Sequence, residues 1–506
     1  MDFVFVTYCS EKWIRPCFES LMHSDSDMAE AAIYVVDNGS ADRTVLCLEQ
    51  MKEKYEKYVK TFQIVKEDAN LGFGKACNIG FQRGNSQIVC FFNIDTQVYK
   101  HTLARLEQSI QNADKKTVLW ELRQFPYEHP KIYDVQTLET SWSSGAAFAV
   151  KREVFARIGG FDERFFMYAE DVDLSWRIRS FGYRLQYVPD SVIVHHAYQK
   201  PGEIKPVQYV HGIVNHLYLR YRFGDFKAVI CGHLLFFFCL CRPEVFPGSK
   251  KMLWRAYCDH FKFIACFTDK RCCGTAKEFQ PFFQKWDYEM IRQGAYYWNE
   301  FPAANPLVYI VIQVFHHENI LKQTLLSLKN QTYANLKILV LDHKGNKGIE
   351  TMIRQEFKDM RIYYRTARRQ RDRLKIISEW IRDKNNSYVY MTNDHFLFYA
   401  DHIEVLIRSL EKSEYHAACT EGFCNKVIVK SWNPYVDAIG HYKKRNNRFH
   451  SQKCDCAMYH AKWYFEQVKN KKRNENRMQY IPKTTYIYRT IKIKVRTHIK
   501  KTGIDI

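Results

Sequence analysis

Nowhere does the 506-residue chain carry the roughly 18 to 20 consecutive apolar residues that a membrane-spanning helix needs. Its longest apolar run, Ala228 to Cys241, is interrupted by Gly232 and His233, so it predicts either a buried helix or one lying in a membrane interface, not a span. Long Gly, Pro or Ser tracts are missing too, which excludes a fibrous or largely disordered chain. The opening residues, Met1 to Thr7, have no basic stretch followed by an apolar one and a cleavage site, and the 16 cysteines fall at irregular intervals, with Cys272 and Cys273 adjacent. Both features predict a cytosolic protein with reduced thiols rather than a secreted disulfide scaffold. The pairs Cys419/Cys424 and Cys454/Cys456 match no standard zinc spacing, and no zinc is expected at them. Acidic residues are in deficit: 55 Asp and Glu stand against 76 Lys and Arg, a net charge of +21, which favours an anionic partner. No nucleic-acid-binding motif accompanies that charge, so nucleotide phosphates or an acidic membrane face are the expected partners, and no nucleic acid.

What is present is a repeated α/β beginning. A strand over Phe3–Tyr8, a helix carrying Phe18 and Leu21, and a second strand over Ile33–Val36 ending on Asp37-Asn38-Gly39-Ser40 form a βαβ start. The arrangement begins again at Val308–Val314, continues through Leu325, Leu326 and Leu328, and reaches Lys337–Leu341 ending on Asp342. Thr7 and Asp37 are 30 residues apart, Gln313 and Asp342 29, and each half later has an apolar strand ending in Asn and Asp, at Asp95 and Asp394. Residues 201–300 mix aromatic and basic side chains without linker runs and read as helical, and Pro302 and Pro306 mark the boundary beyond them. The basic residues of the last 40 positions, Lys469 to Arg473 and Lys492 to Lys501, read as a solvated face or a contact to anionic lipid or polymer.

Ligands of open α/β sheets bind beyond the carboxyl ends of the strands, where Thr7, Asp37 and Asp95 fall. A carboxylate such as Asp37 can accept from a base N–H or a ribose hydroxyl, although Asp-Asn-Gly is equally a turn sequence. The segment Asn70-Leu71-Gly72-Phe73-Gly74-Lys75-Ala76-Cys77-Asn78 opens a helix, and its glycines, helix N-terminus and Lys75 suit a diphosphate. It lacks the Gly-Lys-Ser/Thr ending of a Walker loop, and no Gly-x-Gly-x-x-Gly follows the first strand, which weakens kinase-like and dehydrogenase readings. Strand alternation places Asn93 and Asp95 on one side of Ile88–Asp95, where one carboxylate and a diphosphate can hold Mg²⁺ or Mn²⁺. Leu174, Ile178 and Phe181 predict a helix from Glu170 whose single buried face includes Asp171, with Glu170 turned about 100° away. Burial would raise the Asp171 pKa and the helix N-terminus would lower it, and the sequence does not decide between them.

Asp37-Asn38-Gly39-Ser40, the Asn-Leu-Gly-x-Gly-x-x-x-Asn loop, Asn93-Ile94-Asp95 and Gly159-Gly160-Phe161-Asp162 through Glu170-Asp171-Val172-Asp173 together resemble an inverting glycosyltransferase of family 2, in its rhamnosyltransferase-like branch. The resemblance implies an α/β fold with two GT-A-like, Rossmann-like nucleotide-diphospho-sugar transferase domains joined by a helical region: residues 1–200 catalytic, 201–304 a helical and possibly membrane-peripheral connector, and 305–506 a second, divergent copy. It implies a UDP- or dTDP-sugar donor held by Thr7, Asp37, Asn38, Asn70, Gly72, Lys75, Asn78 and Asn93, and Mn²⁺ or Mg²⁺ held by Asp95 and His195, which the Asp-x-Val-x-x-His spacing favours over His196. Asp171 is implied as the general base, with Glu170, Trp142 and Gly145 on the acceptor side. Glu170 and Asp173 also suit plain helix-dipole chemistry, and Trp142 also suits core packing. The expected function is transfer of a sugar to a glycan or lipid-linked glycan in cell-surface polysaccharide synthesis, in the cytoplasm and possibly at the inner face of the membrane. The alternatives are a catalytically degenerate scaffold of a polysaccharide-assembly complex and a bifunctional enzyme. In the second half Asp342 and Thr392-Asn393-Asp394 stand where base and metal groups would, and Ile481 to Arg489 resembles the closing strand. A basic Arg365–Arg373 stretch replaces the glycine-rich loop, and only Asn474-Glu475-Asn476 stands for the Glu-Asp pair.

Overall fold

The computed structural model describes the chain except residues 130, 199–202, 271, 282, 284–304, 429–442, 446–456, 471–477 and 493–506. Cys454, Cys456, the 474–476 triplet and most of the basic C-terminal residues therefore lie outside the described residues. The chain divides into two compact units, Met1–Glu300 and Phe301–Ile506.

The first unit runs β1 (Asp2–Thr7), α1 (Glu11–Met22), β2 (Ala32–Asp37), α2 (Thr44–Tyr55), β3 (Thr61–Lys66), α3 (Phe73–Arg83), β4 (Ile88–Asn93), β5 (Thr96–Val98), α4 (Thr102–Asn112), β6 (Thr117–Phe125), β7 (Ala147–Lys151), α5 (Arg152–Arg157), α6 (Glu170–Ser180), β8 (Arg184–His195), α7 (Pro206–Phe223), α8 (Phe226–Cys241), α9 (Ser249–His260) and α10 (Ile264–Thr268). The sheet order is β3-β2-β1-β4-β7-β6-β8-β5. The central strands are continuous apolar runs because helices cover both faces of the sheet. Phe3, Phe5 and Phe92 pack on one side, while Val4, Phe91 and Phe148 pack on the other with Phe161 and Leu174. The predicted helical stretch forms α7 to α10, within the first unit. Among the described residues no helix is long and apolar enough to cross a membrane.

Helix α6 differs from the expectation of one buried face: every residue from Val172 to Ser180 is buried, and Phe181 caps the helix instead of extending it. The reason is a second layer. Leu174 and Ile178 face the sheet core, while Val172 and Trp176 pack with Val214, Leu217 and Tyr218 of α7 and Phe267 of α10. Asp173, expected either to complement the helix dipole or to orient an acceptor, is a fully buried ion-pair hub. It accepts from Arg177 Nε at 2.7 Å and from Arg222 of α7, and Arg222 also reaches Asp162 at 2.6 Å. Two buried cations against two carboxylates are electrically matched, and they tie the helical layer to α6.

The second unit runs β9 (Leu307–Val314), α11 (Glu318–Lys329), β10 (Leu336–Asp342), α12 (Lys347–Glu356), β11 (Ile362–Thr366), α13 (Gln370–Trp380), β12 (Ser387–Asn393), β13 (Phe396–Phe398), α14 (His402–Glu411), β14 (Ala417–Ile428), β15 (Lys443–Arg445), β16 (Ala457–His460), α15 (Ala461–Asn470) and β17 (Met478–Lys492). Its order, β11-β10-β9-β12-β16-β14-β17-β13, repeats that of the first unit strand for strand, with β15 added on β14. The expected closing strand is β17, which occupies the place of β8.

Register corrects two sequence-level equivalences. Thr7 pairs with Asp37, whereas Asp342 pairs with Val314, so Val314 and not Gln313 stands for Thr7. Asn93 pairs with Val6 and Asn393 with Gln313, which makes His395 the counterpart of Asp95 and Asp394 that of Ile94. A one-residue offset in a strand exchanges the two faces, and residue spacing alone does not reveal it.

Candidate active site

A cavity of about 940 Å³ opens at the carboxyl ends of β1 and β4, between the sheet, the 142–146 segment, the start of α6, and helices α7 and α8. Its wall brings together Asn38, Asn70, Asn93, Asp95, Trp142, Gly145, Glu170, Asp171 and His195. Thr7, Asp37, Gly72, Lys75 and Asn78 are outside that wall.

The strand ends fix the first group. Asn93 and Asp95 both reach the cavity, and Ile94 between them packs into the core cluster while also touching the cavity wall. His195 closes the last strand pair opposite Thr96, which sets its Nε2 at 3.4 Å from Asp95 Oδ1. The other ring nitrogen, Nδ1, lies 2.7 Å from Gln124 Oε1, fixing the ring. His196 turns elsewhere: its Nε2 meets Gln97 at 2.8 Å and its ring stacks on Trp13. Burial alone would raise the Asp95 pKa, but the His195 ring, with Lys205 farther off, outweighs it and leaves the carboxyl below its ordinary value.

The loops after β2 and β3 lock onto each other. Asn38 Nδ2 donates to Asn70 Oδ1 at 2.9 Å and to the Gly72 carbonyl at 3.1 Å, and its Oδ1 accepts from Leu71 N. Asp37 is occupied in its own turn, accepting from Thr7 Oγ1 at 2.9 Å and from Ser40 N and Oγ at 3.0 and 2.6 Å. Gly72, at φ +87°, is required by a close approach: a Cβ there would stand 2.3 Å from the Phe166 carbonyl. Asn78 holds the 160–163 turn, donating to Phe161 O and Glu163 and accepting from Phe161 N. Lys75 is half-buried on α3.

At the start of α6 two adjacent carboxyls sit in unlike surroundings. Asp171 Oδ2 accepts from Gly145 N at 2.9 Å and its Oδ1 from Val172 N at 2.8 Å, and it is part-buried in the cavity wall. Glu170 is only 6% exposed, and its Oε2 has no hydrogen-bond partner. Burial raises both pKa values: it pushes Glu170 well up, helped by the charge of Asp171, while two backbone N–H groups restrain the rise at Asp171. This resolves the competition the sequence left open, in favour of burial. The pair can hold one proton, on Glu170, and leave Asp171 as an ionised acceptor.

Some wall residues carried no sequence signal. Gln124 orients His195, and part-buried His129, held neutral with a pKa lowered to about 3 by desolvation, meets the Trp142 ring edge-on. Lys131 lies behind the wall, paired with buried Glu121, over the Trp142 ring and bonded to its carbonyl at 2.8 Å. Trp142 is thus a packed wall residue as well as a cavity face. In the second unit Asp342 repeats the turn role of Asp37, accepting from Lys344 N, Asn346 N and the Tyr364 hydroxyl at 2.6–2.8 Å.

A family model described as "Glycosyl transferase family 2" matches residues 2–173 and 309–471. Among curated proteins, the chain is 25% identical over 199 residues to a probable glycosyltransferase, YdaM, of Bacillus subtilis, which covers 35% of this chain and 46% of that protein. It is 46% identical over 61 residues to the N-acetylglucosaminyl-diphospho-decaprenol L-rhamnosyltransferase of Mycobacterium tuberculosis, covering 12% and 20%. The chain thus spans less than half the length of these relatives. A solved mannosyltransferase from Pyrobaculum calidifontis, in complex with GDP-Man and Mn²⁺, aligns at 19% identity and TM-score 0.38 over 52% of this chain and 74% of that one.

Proposed function

The chain belongs to glycosyl transferase family 2 in both of its halves, and from that membership we propose that the first unit is an inverting transferase that moves a sugar from a nucleotide-sugar donor to a hydroxyl of a glycan or lipid-linked acceptor. The observation that carries this reading is that Asp95, with His195 beside it, and Asp171, with Glu170 beside it, share one cavity.

The nucleoside end of the donor is assigned to the crossed Asn38 and Asn70 loops, with Asp37 and Thr7 bracing them from behind. Gly72 and Asn78 act as positioning residues through the 160–167 segment, and Lys75 contributes positive potential from α3. An ionised carboxylate and an imidazole nitrogen, with the Asn93 amide in the same wall, fit a Mn²⁺ or Mg²⁺ ion that completes its shell with phosphate oxygens. Such an ion, when bound, neutralises charge on the departing diphosphate. Asp171 takes the proton of the acceptor hydroxyl as its oxygen attacks the anomeric carbon and the carbon–diphosphate bond breaks, inverting that centre. Neutral Glu170 donates a hydrogen bond that orients the acceptor, against the face of Trp142 and the Gly145 backbone.

The acceptor side also supports peripheral membrane contact. On α8, Phe226, Ile230, Leu234, Phe237 and Phe238 lie within an arc of roughly 120°, and Phe226, Leu234 and Phe238 are 81%, 63% and 51% exposed. Gly232, Leu235, Phe236 and Cys239, on the opposite face, line the cavity. Arg242, Lys250 and Lys251 follow close behind, so one helix separates the site from a surface suited to anionic lipid. The second unit, with neither a glycine-rich loop nor an oxygen-rich strand end, is a non-transferring copy in this reading.

The test is a screen of UDP-, dTDP- and GDP-sugars with Mn²⁺ and lipid-linked glycan acceptors, reading nucleoside diphosphate release and the anomeric configuration of the product. The expected result is release with one donor class and an inverted product; a retained configuration or release from none refutes the reading.

A further inference from the structure

At the strand ends of the second unit, a carboxylate and two imidazoles converge where the first unit has a core isoleucine and the rim of its cavity. Asp394, the counterpart of Ile94, is fully buried. Its Oδ2 accepts from Phe315 N and His316 N at 3.1 and 2.8 Å, which turns Oδ1 towards the imidazoles, with His316 Nδ1 at 3.1 Å. The His395 ring stands edge-on to that of His316, with centroids 4.5 Å apart, and one donor atom from each of the three residues lies within 4.8 Å of the other two. The His316 side chain is 12% exposed and that of Asp394 0%. Asp394 and His395 directly follow the last residue of β12, so the carboxylate, held by two backbone N–H groups, is fixed beside the imidazoles.

From these three residues we infer a second metal site, specific for a borderline transition ion of the Zn²⁺ class. Two nitrogens and one oxygen are the donor set such ions take, and three protein ligands leave one position open for water or an anionic ligand. Ligand atoms about 2.05 Å from a tetrahedral ion lie about 3.3 Å apart, close to the 3.1 Å between His316 Nδ1 and Asp394 Oδ1. Backbone bonds brace the ligands: Asp394 N donates to Gln313 O at 3.2 Å and His395 N to Asn393 Oδ1 at 3.0 Å. Arg373 Nη1 bonds the Gln313 side chain at 2.9 Å, so the basic stretch supplies a guanidinium on the neighbouring strand end. The cysteine spacings had pointed away from zinc. These ligands come instead from the ends of two adjacent parallel strands, β9 and β12, nearly 80 residues apart in sequence. The site is independent of the transfer reaction assigned to the first unit.

The test uses the full chain with Asp95→Asn and His195→Gln, which removes the first unit's candidate ligands. Zinc titration by calorimetry should give one tight site per chain, and Co²⁺ should give visible d–d bands without thiolate charge-transfer absorption. Adding His316→Ala or His395→Ala should weaken zinc by at least about tenfold, with far-UV circular dichroism unchanged. Should either variant lose its fold, His316→Asn and His395→Gln provide the same comparison. Stoichiometric zinc retained after both histidines are replaced, thiolate absorption with Co²⁺, or no zinc binding by the parent chain overturns the inference.

Discussion

At the end of β4 the first unit presents Asn93 and Asp95 to a cavity that also holds Asp171, whereas at the end of β12 the second unit has Asn393 and His395, with Asp394 buried between them. Eight strands run in one order in both units, so the sheet cannot be the source of the difference. It lies in three or four residues per strand end. The scaffold sets where ligands are met, and the identity of the side chains that arrive there sets which ligand, oxygen-rich for a hard cation and diphosphate, nitrogen-rich for a softer ion.

The comparison breaks most sharply at Asp171. Asp171→Asn is expected to reduce turnover by about 10²–10⁴-fold with donor affinity preserved, while Asp342→Asn in the second unit leaves turnover unchanged; steady-state kinetics beside donor titration decide it, and equal losses would make both units catalytic. Next comes the ion-pair hub, for which the second unit has no counterpart among the described residues. Arg222→Met should destabilise the first unit by about 3–5 kcal/mol, read as a lowered unfolding midpoint in urea for that unit alone. A smaller effect belongs to Glu170. Its folded pKa is raised, so the folded state holds a proton that the unfolded chain has released, and stability falls as pH rises from the ordinary glutamate value towards the folded one. Glu170→Gln should abolish that slope, about 1.4 kcal/mol per pH unit across the window, and raise the neutral-pH melting temperature. The acid limb of transfer should follow Asp171 and lie above the ordinary aspartate pKa of about 3.9, because activity is lost as pH falls through a raised value. The smallest change is expected of Leu234→Ser with Phe238→Ser, which should weaken sedimentation with anionic vesicles while leaving transfer to a water-soluble acceptor intact.

Much of this was legible from short sequence windows. The strand ends near Asp37 and Asp95, the start of α6 at Glu170 and the internal repeat all follow from alternation and spacing, which are local. The burial of α6 on all sides was not legible, because Val172 and Trp176 find their partners on α7 and α10, more than 30 residues on. Nor was the role of Gly72 and Asn78 as anchors for the 160–167 segment, since a glycine that permits close approach reads the same whether the neighbour is a phosphate or the Phe166 carbonyl.

The sequence by itself determined that two α/β units follow one another and which residues stand at their strand ends, because side-chain period and chain direction are properties of consecutive residues. Only the tertiary structure decided which strand-end residues share a wall, which carboxyl of the Glu170–Asp171 pair is shut away from water, and that His395 rather than Asp394 answers to Asp95. These depend on register and on the layer packed above, where a shift of one residue or the arrival of one helix changes the solvent and the neighbours of a charge.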